Sequence, residues 1–488
     1  MKQKPTWLLG LVGIALVIAA PLWAFWPRVH KPKDGPWTNL PRHAPHVDHS
    51  AIIQGPFASG EEVTKTCLSC HPEAAEDFMH TSHWRWESEK AFHIPGHDQP
   101  VHLGKLTSFN NFCIGTQGNQ RVCMKCHTGY SWEEGMSADE VAALLEKPEA
   151  VDCLVCHADP KIYGRGAYGN PAEGVDLVAA ARSVRNPTRD NCLACHAYGG
   201  GGDNVKHGDI SSALFFPDPE VDVHMGKYDF QCTDCHRTEQ HQIKGKLINL
   251  NYTVEPEEQV QCTDCHSAAP HEDDRLNAHV QSVACQTCHV PQVAEKIPTK
   301  MFWDWSTAGQ DLPEDHFHYL KIKGSFRYEK DLTPTYLWFN GNEAERYVNG
   351  DPVRVDGVTY INRPAGDIHD PTAKIFPFKI HRTLQPYDKR YGYLLAPLTA
   401  GLPNGFWTKF DWDLAFREAE KYTGLKYSGE YGFTETWMYW PLTHMVKPKE
   451  QALQCADCHG PNGRLDWQAL GYPGDPMEWG GRFDTQQP

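Results

Sequence analysis

The sequence is short of basic charge, of spare cysteine and of a usable signal-cleavage site, and each shortage narrows its function. Its 46 lysines and arginines are outweighed by 62 aspartates and glutamates, a formal net charge of −16 over 488 residues. A surface of that sign argues against nucleic acid as a partner and suits basic protein surfaces. Of 17 cysteines, Cys113 alone stands outside one repeated pattern. In an oxidising compartment such a thiol is either buried and inert or chemically employed. The apolar run from Trp7 to Phe25 lacks a good small-x-small site, positions such as the one after Ala19 being poor. Lys2 and Lys4 precede it and Arg28, Lys31 and Lys33 follow. About 20 apolar residues suffice to span a bilayer. Residues 1–6 therefore read as a cytoplasmic n-region, and 7–26 as a retained membrane anchor or uncleaved signal.

The other 16 cysteines form eight Cys-x-x-Cys-His units. They are Cys67, Cys70 and His71; Cys123, Cys126 and His127; Cys153, Cys156 and His157; Cys192, Cys195 and His196; Cys232, Cys235 and His236; Cys262, Cys265 and His266; Cys285, Cys288 and His289; and Cys455, Cys458 and His459. In such a unit the thiols form thioethers with haem vinyl groups and the histidine reaches the iron as proximal ligand. Zinc also takes paired cysteines, but it has no need of a histidine directly after the second one eight times over. The expected cofactor is eight haem c. Thioether maturation takes place outside the cytoplasm, so the body is expected to be periplasmic or otherwise extracytoplasmic, tethered to the inner membrane by the N-terminal segment.

Residues 27–60 are rich in proline, glycine and histidine and show no sustained period, so they read as a linker; His43, His46 and His49 have the chemistry to bind metal or a nearby haem, but a solvated tether is the preferred reading. Residues 61–290 carry seven units, too close together for a conventional side-chain core, so the macrocycles must supply the buried apolar volume. Residues 291–450 hold no unit and are dense in aromatics, as in Phe302-Trp303-Asp304-Trp305 and Tyr336-Leu337-Trp338-Phe339. This stretch reads as a wrapping region of loops, with helical spacing around Trp412 to Tyr422. Residues 451–488 hold the eighth unit and a tail. The predicted fold is mostly α with extensive irregular structure, a multihaem cytochrome c fold organised around a cluster of eight haems.

Nineteen of the 27 histidines lie outside the units, enough to give each iron a second imidazole. Six-coordinate iron suits one-electron relay because it offers no vacancy for substrate. The distal candidates are His83, His207, His224, His241, His271, His279, His381 and His444, while His30, His93, His97 and His102 read as surface residues. Lys206 closes the flexible run Gly199-Gly200-Gly201-Gly202-Asp203-Asn204-Val205. On its own residues it reads as a solvated side chain, since an amine binds iron only after losing its proton in a desolvated pocket.

The segments Cys67 to His71, Ser82-His83-Trp84, Asn110-Asn111-Phe112-Cys113, the glycine run ending in Lys206-His207, and His444-Met445-Val446 together resemble the octahaem tetrathionate reductases. The likeness runs from about Glu61 to Pro476. It implies that the second haem, attached through Cys123, Cys126 and His127, is ligated by Lys206 and is the active site, with Cys113 as a nearby thiol. It also implies reduction of tetrathionate to two thiosulfates, with seven relay haems supplying the electrons. A small oxyanion needs local positive charge, for which Lys105, Lys125, Arg182, Arg185 and Arg189 are candidates. The expected electron donor is a membrane quinol-oxidising cytochrome or a small periplasmic cytochrome; the oligomeric state stays open. Reduction of nitrite or hydroxylamine is the first alternative, although all eight units end in histidine where pentahaem-like nitrite reductases use Cys-x-x-Cys-Lys. A conduit with every iron closed, drawing on a membrane quinol dehydrogenase, is the second.

Overall fold

A computed structural model describes residues 36–41, 43, 45–112, 115–245, 259–400 and 402–482. The run from Trp7 to Phe25, His30 and Cys113 lie outside the described residues. Among those described, no helix is long and apolar enough to cross a membrane.

Around the cysteine pairs the chain forms helices of one or two turns, such as Gly60–Leu68, Arg189–His196, Cys232–Cys235, Cys285–His289 and Cys455–Cys458. A three-residue offset puts both thiols on one helical face, as attachment to one macrocycle requires. In three units the sequence Gln-Cys-x-Asp-Cys-His builds its own cap. The carboxylates of Asp234, Asp264 and Asp457 accept from the backbone N–H of Gln231, Gln261 and Gln454 at 2.7, 3.0 and 2.7 Å.

Helix accounts for 26% of the structure and strand for 17%, which overturns the expectation of a mostly α fold. The cause lies in the region read as wrapping loops. It builds a seven-stranded mixed sheet from β1 (Thr299–Asp304), β2 (Tyr319–Leu320), β3 (Gly324–Glu329), β4 (Thr335–Phe339), β5 (Thr359–Tyr360), β6 (Lys374–Asp388) and β7 (Tyr431–Pro441). The order is β2-β3-β1-β6-β7-β5, with β4 also on β6. β6 pairs antiparallel with β7, matching Lys379 with Trp440 and Thr383 with Thr436, and parallel with β1, matching Thr383 with Trp303. The signal was present as alternation: Thr434, Thr436, Met438 and Trp440 all point inward. Aromatic and β-branched residues fit a half-buried pleated surface better than a loop. The spacing around Trp412 does make a helix, Trp412–Thr423, which Asp411 starts and Gly424 ends in a left-handed conformation. Its Trp412, Ala415 and Phe416 join Trp303, Trp305, Phe326 and Trp440 in the largest apolar cluster.

The segment read as a solvated tether is laid on the body. Trp37 packs edge-on against Tyr228 at 4.6 Å, and the His43 imidazole meets the Asp234 carboxylate at 2.8 Å.

Candidate functional site

The units face one connected cavity of about 3800 Å³, into which each presents its histidine and at least one of its cysteines. An ordinary ligand pocket holds roughly 300–1,000 Å³. Its walls carry rows of paired imidazoles. Seven unit histidines each face a second ring at centroid separations of 6.1–6.5 Å: His71 with His49, His157 with His241, His196 with His83, His236 with His444, His266 with His224, His289 with His271 and His459 with His279. Imidazole–metal bonds of about 2 Å on opposite sides of one ion place two ring centroids about 6 Å apart. The interplanar angles run from 5° to 79°, which leaves this separation unchanged, since rotating a ring about the axis it shares with its partner does not move its centroid. Among the described residues no three His, Cys, Asp or Glu side chains close on one point, as a tetrahedral zinc site requires. The donor set fits covalently attached haem.

Hydrogen bonds at the other ring nitrogen orient several of these imidazoles. The Nδ1 of His157, His236 and His279 donates to the carbonyl oxygens of Arg185, Lys244 and Arg275 at 3.0, 2.8 and 2.8 Å. That leaves the Nε2 lone pair for a metal. His459 Nδ1 bonds the Asp475 carboxylate at 2.6 Å, and His444 Nδ1 lies 3.3 Å from Asp209 Oδ2. Burial pushes His83 down to about 4 and His196 to about 3, so both rings are neutral and able to donate a lone pair.

The second unit, the one left over, differs. His127 has Trp86 as an aromatic neighbour at 6.5 Å, and the charges of two lysines reach it. Burial, followed by the charges of Lys105 and Lys206, holds its imidazole well below the usual range. Lys105 is committed as a donor, since its Nζ bonds the carbonyl oxygens of Ser82 and Arg85 at 3.3 and 2.9 Å. Lys206 lines the cavity, and its charge also reaches Cys126. The glycines make room for it. A Cβ at Gly199 would sit 3.1 Å from Lys206 Cδ, and one at Gly200, where φ is +82°, would sit 2.8 Å from Val205 Cγ1 and 3.1 Å from Lys206 Cγ. The loop is pinned below them by Asn204, which donates to the Ile297 carbonyl at 2.6 Å and accepts from the Gly208 N–H at 2.9 Å.

Of the histidines expected on the distal side, His83, His224, His241, His271, His279 and His444 each face a unit histidine; His207 and His381 do not. His207 lines the cavity but sets its ring edge-on to Trp440 at 4.8 Å. His381 is buried in the sheet, stacked on Phe112 at 3.8 Å. The seventh partner is His49, from the segment taken for a linker. Its only signal in the sequence was a cluster of histidines just ahead of the first unit. The basic residues expected to gather an anion are mostly engaged elsewhere: Arg182 on the Ile53 carbonyl, Arg185 with Asp159, Arg189 with Asp229, and Lys105 as above. Lys125 is exposed.

Thiols of different units lie within hydrogen-bonding reach: Cys67 with Cys153, Cys126 with Cys195, Cys192 with Cys232 and Cys262 with Cys285. Cys156 acts on both Cys192 and Cys195, Cys265 on Cys235, and Cys455 on Cys288. The units therefore form one connected series. The fourth is its junction, linked to the second through Cys126, to the third through Cys156 and to the fifth through Cys232, while the fifth to eighth run on in order.

Three family models match: outer membrane cytochrome MtrC/MtrF-like, domains II/IV, over residues 44–208; cytochrome c7 and related cytochrome c over 218–296; and bacterial cytochrome c over 300–462. The chain is similar to octahaem cytochrome c from Shewanella oneidensis, at 43% identity and a TM-score of 0.80, covering 91% of this chain and 99% of that one. It is also 28% identical to an uncharacterised protein of Archaeoglobus fulgidus over 258 residues, 43% of this chain and 84% of that protein.

Proposed function

The chain belongs to the octahaem c-type cytochromes, and from that premise we propose that it is an extracytoplasmic reductase that turns tetrathionate into thiosulfate at the site of the second unit. One observation carries this reading. Seven unit histidines face a second imidazole, whereas among the described residues His127 faces none, and the charge that reaches it across the cavity is that of Lys206, at the end of a glycine run that leaves its side chain room.

Eight haems would be held by the sixteen unit cysteines, seven of them between paired histidines and one between His127 and Lys206. Bound haem supplies reversible one-electron storage and, at the lysine site, an iron able to meet soft sulfur. The protein's part is to sort these roles. Paired imidazoles close seven positions, and Lys206 offers an amine that substrate can displace. Cleavage of the central sulfur–sulfur bond takes two electrons and no proton, giving two thiosulfates from one tetrathionate, so the site needs no acid. The series of units brings both electrons to the junction at Cys192 and Cys195, next to Cys126, with a membrane quinol-oxidising cytochrome or a small periplasmic cytochrome as donor. Cys113 is the thiol proposed to take part: its thiolate would attack the central bond, releasing one thiosulfate and keeping the other half as a mixed disulfide, which the two electrons would split into thiolate and the second thiosulfate.

The test is steady-state oxidation of a reduced dye with tetrathionate, nitrite or hydroxylamine as sole oxidant. Turnover with tetrathionate is expected. Turnover with the nitrogen compounds alone would move the protein to nitrogen chemistry, and none with any would make it a conduit.

The pairing makes a separate prediction. Replacing His49 with leucine should leave the haem on Cys67 and Cys70 without its second imidazole, and a high-spin signal should appear in low-temperature electron paramagnetic resonance. An unchanged spectrum would return that segment to the role of tether.

A further inference from the structure

β6 carries a row of polar side chains where a sheet core would ordinarily be apolar. Lys379, His381, Thr383 and Gln385 alternate on one face and are at most 1% exposed. Buried polar groups are tolerated only when hydrogen-bonded, and each of these is bonded to a loop at the second unit. His381 and Asn111 exchange two bonds, Nδ1 to Oδ1 at 2.9 Å and Asn111 Nδ2 to the His381 carbonyl at 2.9 Å. Thr383 Oγ1 donates to the Asn111 carbonyl at 3.2 Å, and Gln385 Nε2 to the Asn110 carbonyl at 3.2 Å.

Lys379 does the same for the lysine loop. Its Nζ donates to the carbonyl oxygens of Val205 at 2.8 Å and of Lys206 itself at 2.7 Å, and to Thr299 Oγ1 at 2.5 Å. A neutral amine can donate to both carbonyls and an ammonium group to all three acceptors; burial pulls the group toward the neutral form, and the two backbone bonds stand in either state. Thr299 completes the clasp by donating onward to the Asn204 carbonyl. A lysine on the central strand and a threonine on its parallel neighbour β1 thus grip three consecutive carbonyls, those of Asn204, Val205 and Lys206.

We propose that Lys379 is a positioning residue for the Lys206 amine, a clamp that fixes the loop backbone from which the side chain enters the cavity, where it would hold the haem of the second unit together with His127. The proposal rests on the reading of Lys206 as a ligand. It explains why a fully buried lysine occupies the middle of a sheet. Asn204 and Asp203 pin the loop before Lys206, and the clamp adds the bonds that hold the Val205 and Lys206 carbonyls themselves.

The test uses the full, haem-loaded protein. In Lys379→Met the signal of the lysine-facing haem in low-temperature electron paramagnetic resonance should shift or split, while the signals of the seven imidazole pairs stay as they were. Tetrathionate turnover should fall roughly 10- to 100-fold, the usual cost of removing a group that orients a metal ligand. Thr299→Val, a gentler change, loosens the same clasp and should move the same signal less. If Lys379→Met does not accumulate, Thr299→Val decides. A wild-type signal and undiminished turnover in the haem-loaded variants would overturn the clamp. Lys206→Met separates the two failures. If it leaves the wild-type spectrum intact, Lys206 is not a ligand and the clamp falls with it. If it removes the signal while the Lys379 and Thr299 variants keep it, only the clamp is wrong.

Discussion

Exchange of Lys206 for histidine is expected to abolish tetrathionate turnover while leaving eight haems attached and reducible. The substitution would complete the pattern already present at the other seven units, two imidazoles facing each other across about 6 Å, and so convert the proposed active site into another relay. The loss should be on the order of 100-fold or more, beyond the usual cost of removing a group that merely orients a ligand. Haem content by absorbance, dye oxidation with tetrathionate and low-temperature electron paramagnetic resonance together check it. The expected spectrum contains bis-imidazole signals alone. Retained turnover in this variant would place the chemistry elsewhere in the molecule.

Chain made without haem attachment is expected not to fold in the region 60–290. The units surround a cavity of about 3800 Å³. A dry void costs roughly 24 cal/mol per Å³, so that leaving even a tenth of this volume empty would cost on the order of 9 kcal/mol. Whole domains are stable by only about 5–15 kcal/mol. Flooding the cavity offers no escape, because water would then meet the apolar side chains along its walls, among them Leu193, Val290, Ile375 and Trp440. Circular dichroism and limited proteolysis of material from cells unable to mature c-type cytochromes should show an open chain in the region 60–290. The sheet is the part best able to persist, since its cluster of Trp303, Trp305, Phe326, Phe406 and Phe416 packs side chain on side chain. A compact, protease-resistant apoprotein would contradict this account of the core.

The lysine site shows how legible each layer was. Lys206 was singled out because four glycines precede it and because the flanking segments resemble a known family. The glycines alone said only that the backbone was free to bend. The structure adds that Cβ atoms at Gly199 and Gly200 would strike the lysine and its neighbour, and that Lys379 holds the loop from behind. Lys379 carried no sign of this in the sequence. It stands in Phe378-Lys379-Ile380, where alternation suggests a strand, but its partners Val205 and Lys206 come from a distant loop. His381 was misplaced for a related reason. A histidine counts as a candidate ligand on composition, whereas burial in the sheet against Phe112 and Asn111 is decided by which strand lies at the centre.

By itself the sequence determined where the macrocycles attach, because that chemistry is written within five consecutive residues and needs no partner from elsewhere. It also determined the local caps of the Gln-Cys-x-Asp-Cys-His turns, which close within three residues. Tertiary structure alone decided which histidine faces which, that the segment before the first unit is a strap contributing His49, and that the aromatic stretch is a sheet rather than a wrapping of loops. His236 and His444, or His279 and His459, are brought together across the whole sheet-forming region. A pairing of that kind is set by how strands register and how the chain packs around its cofactors, which are long-range energies that no local pattern of residues records.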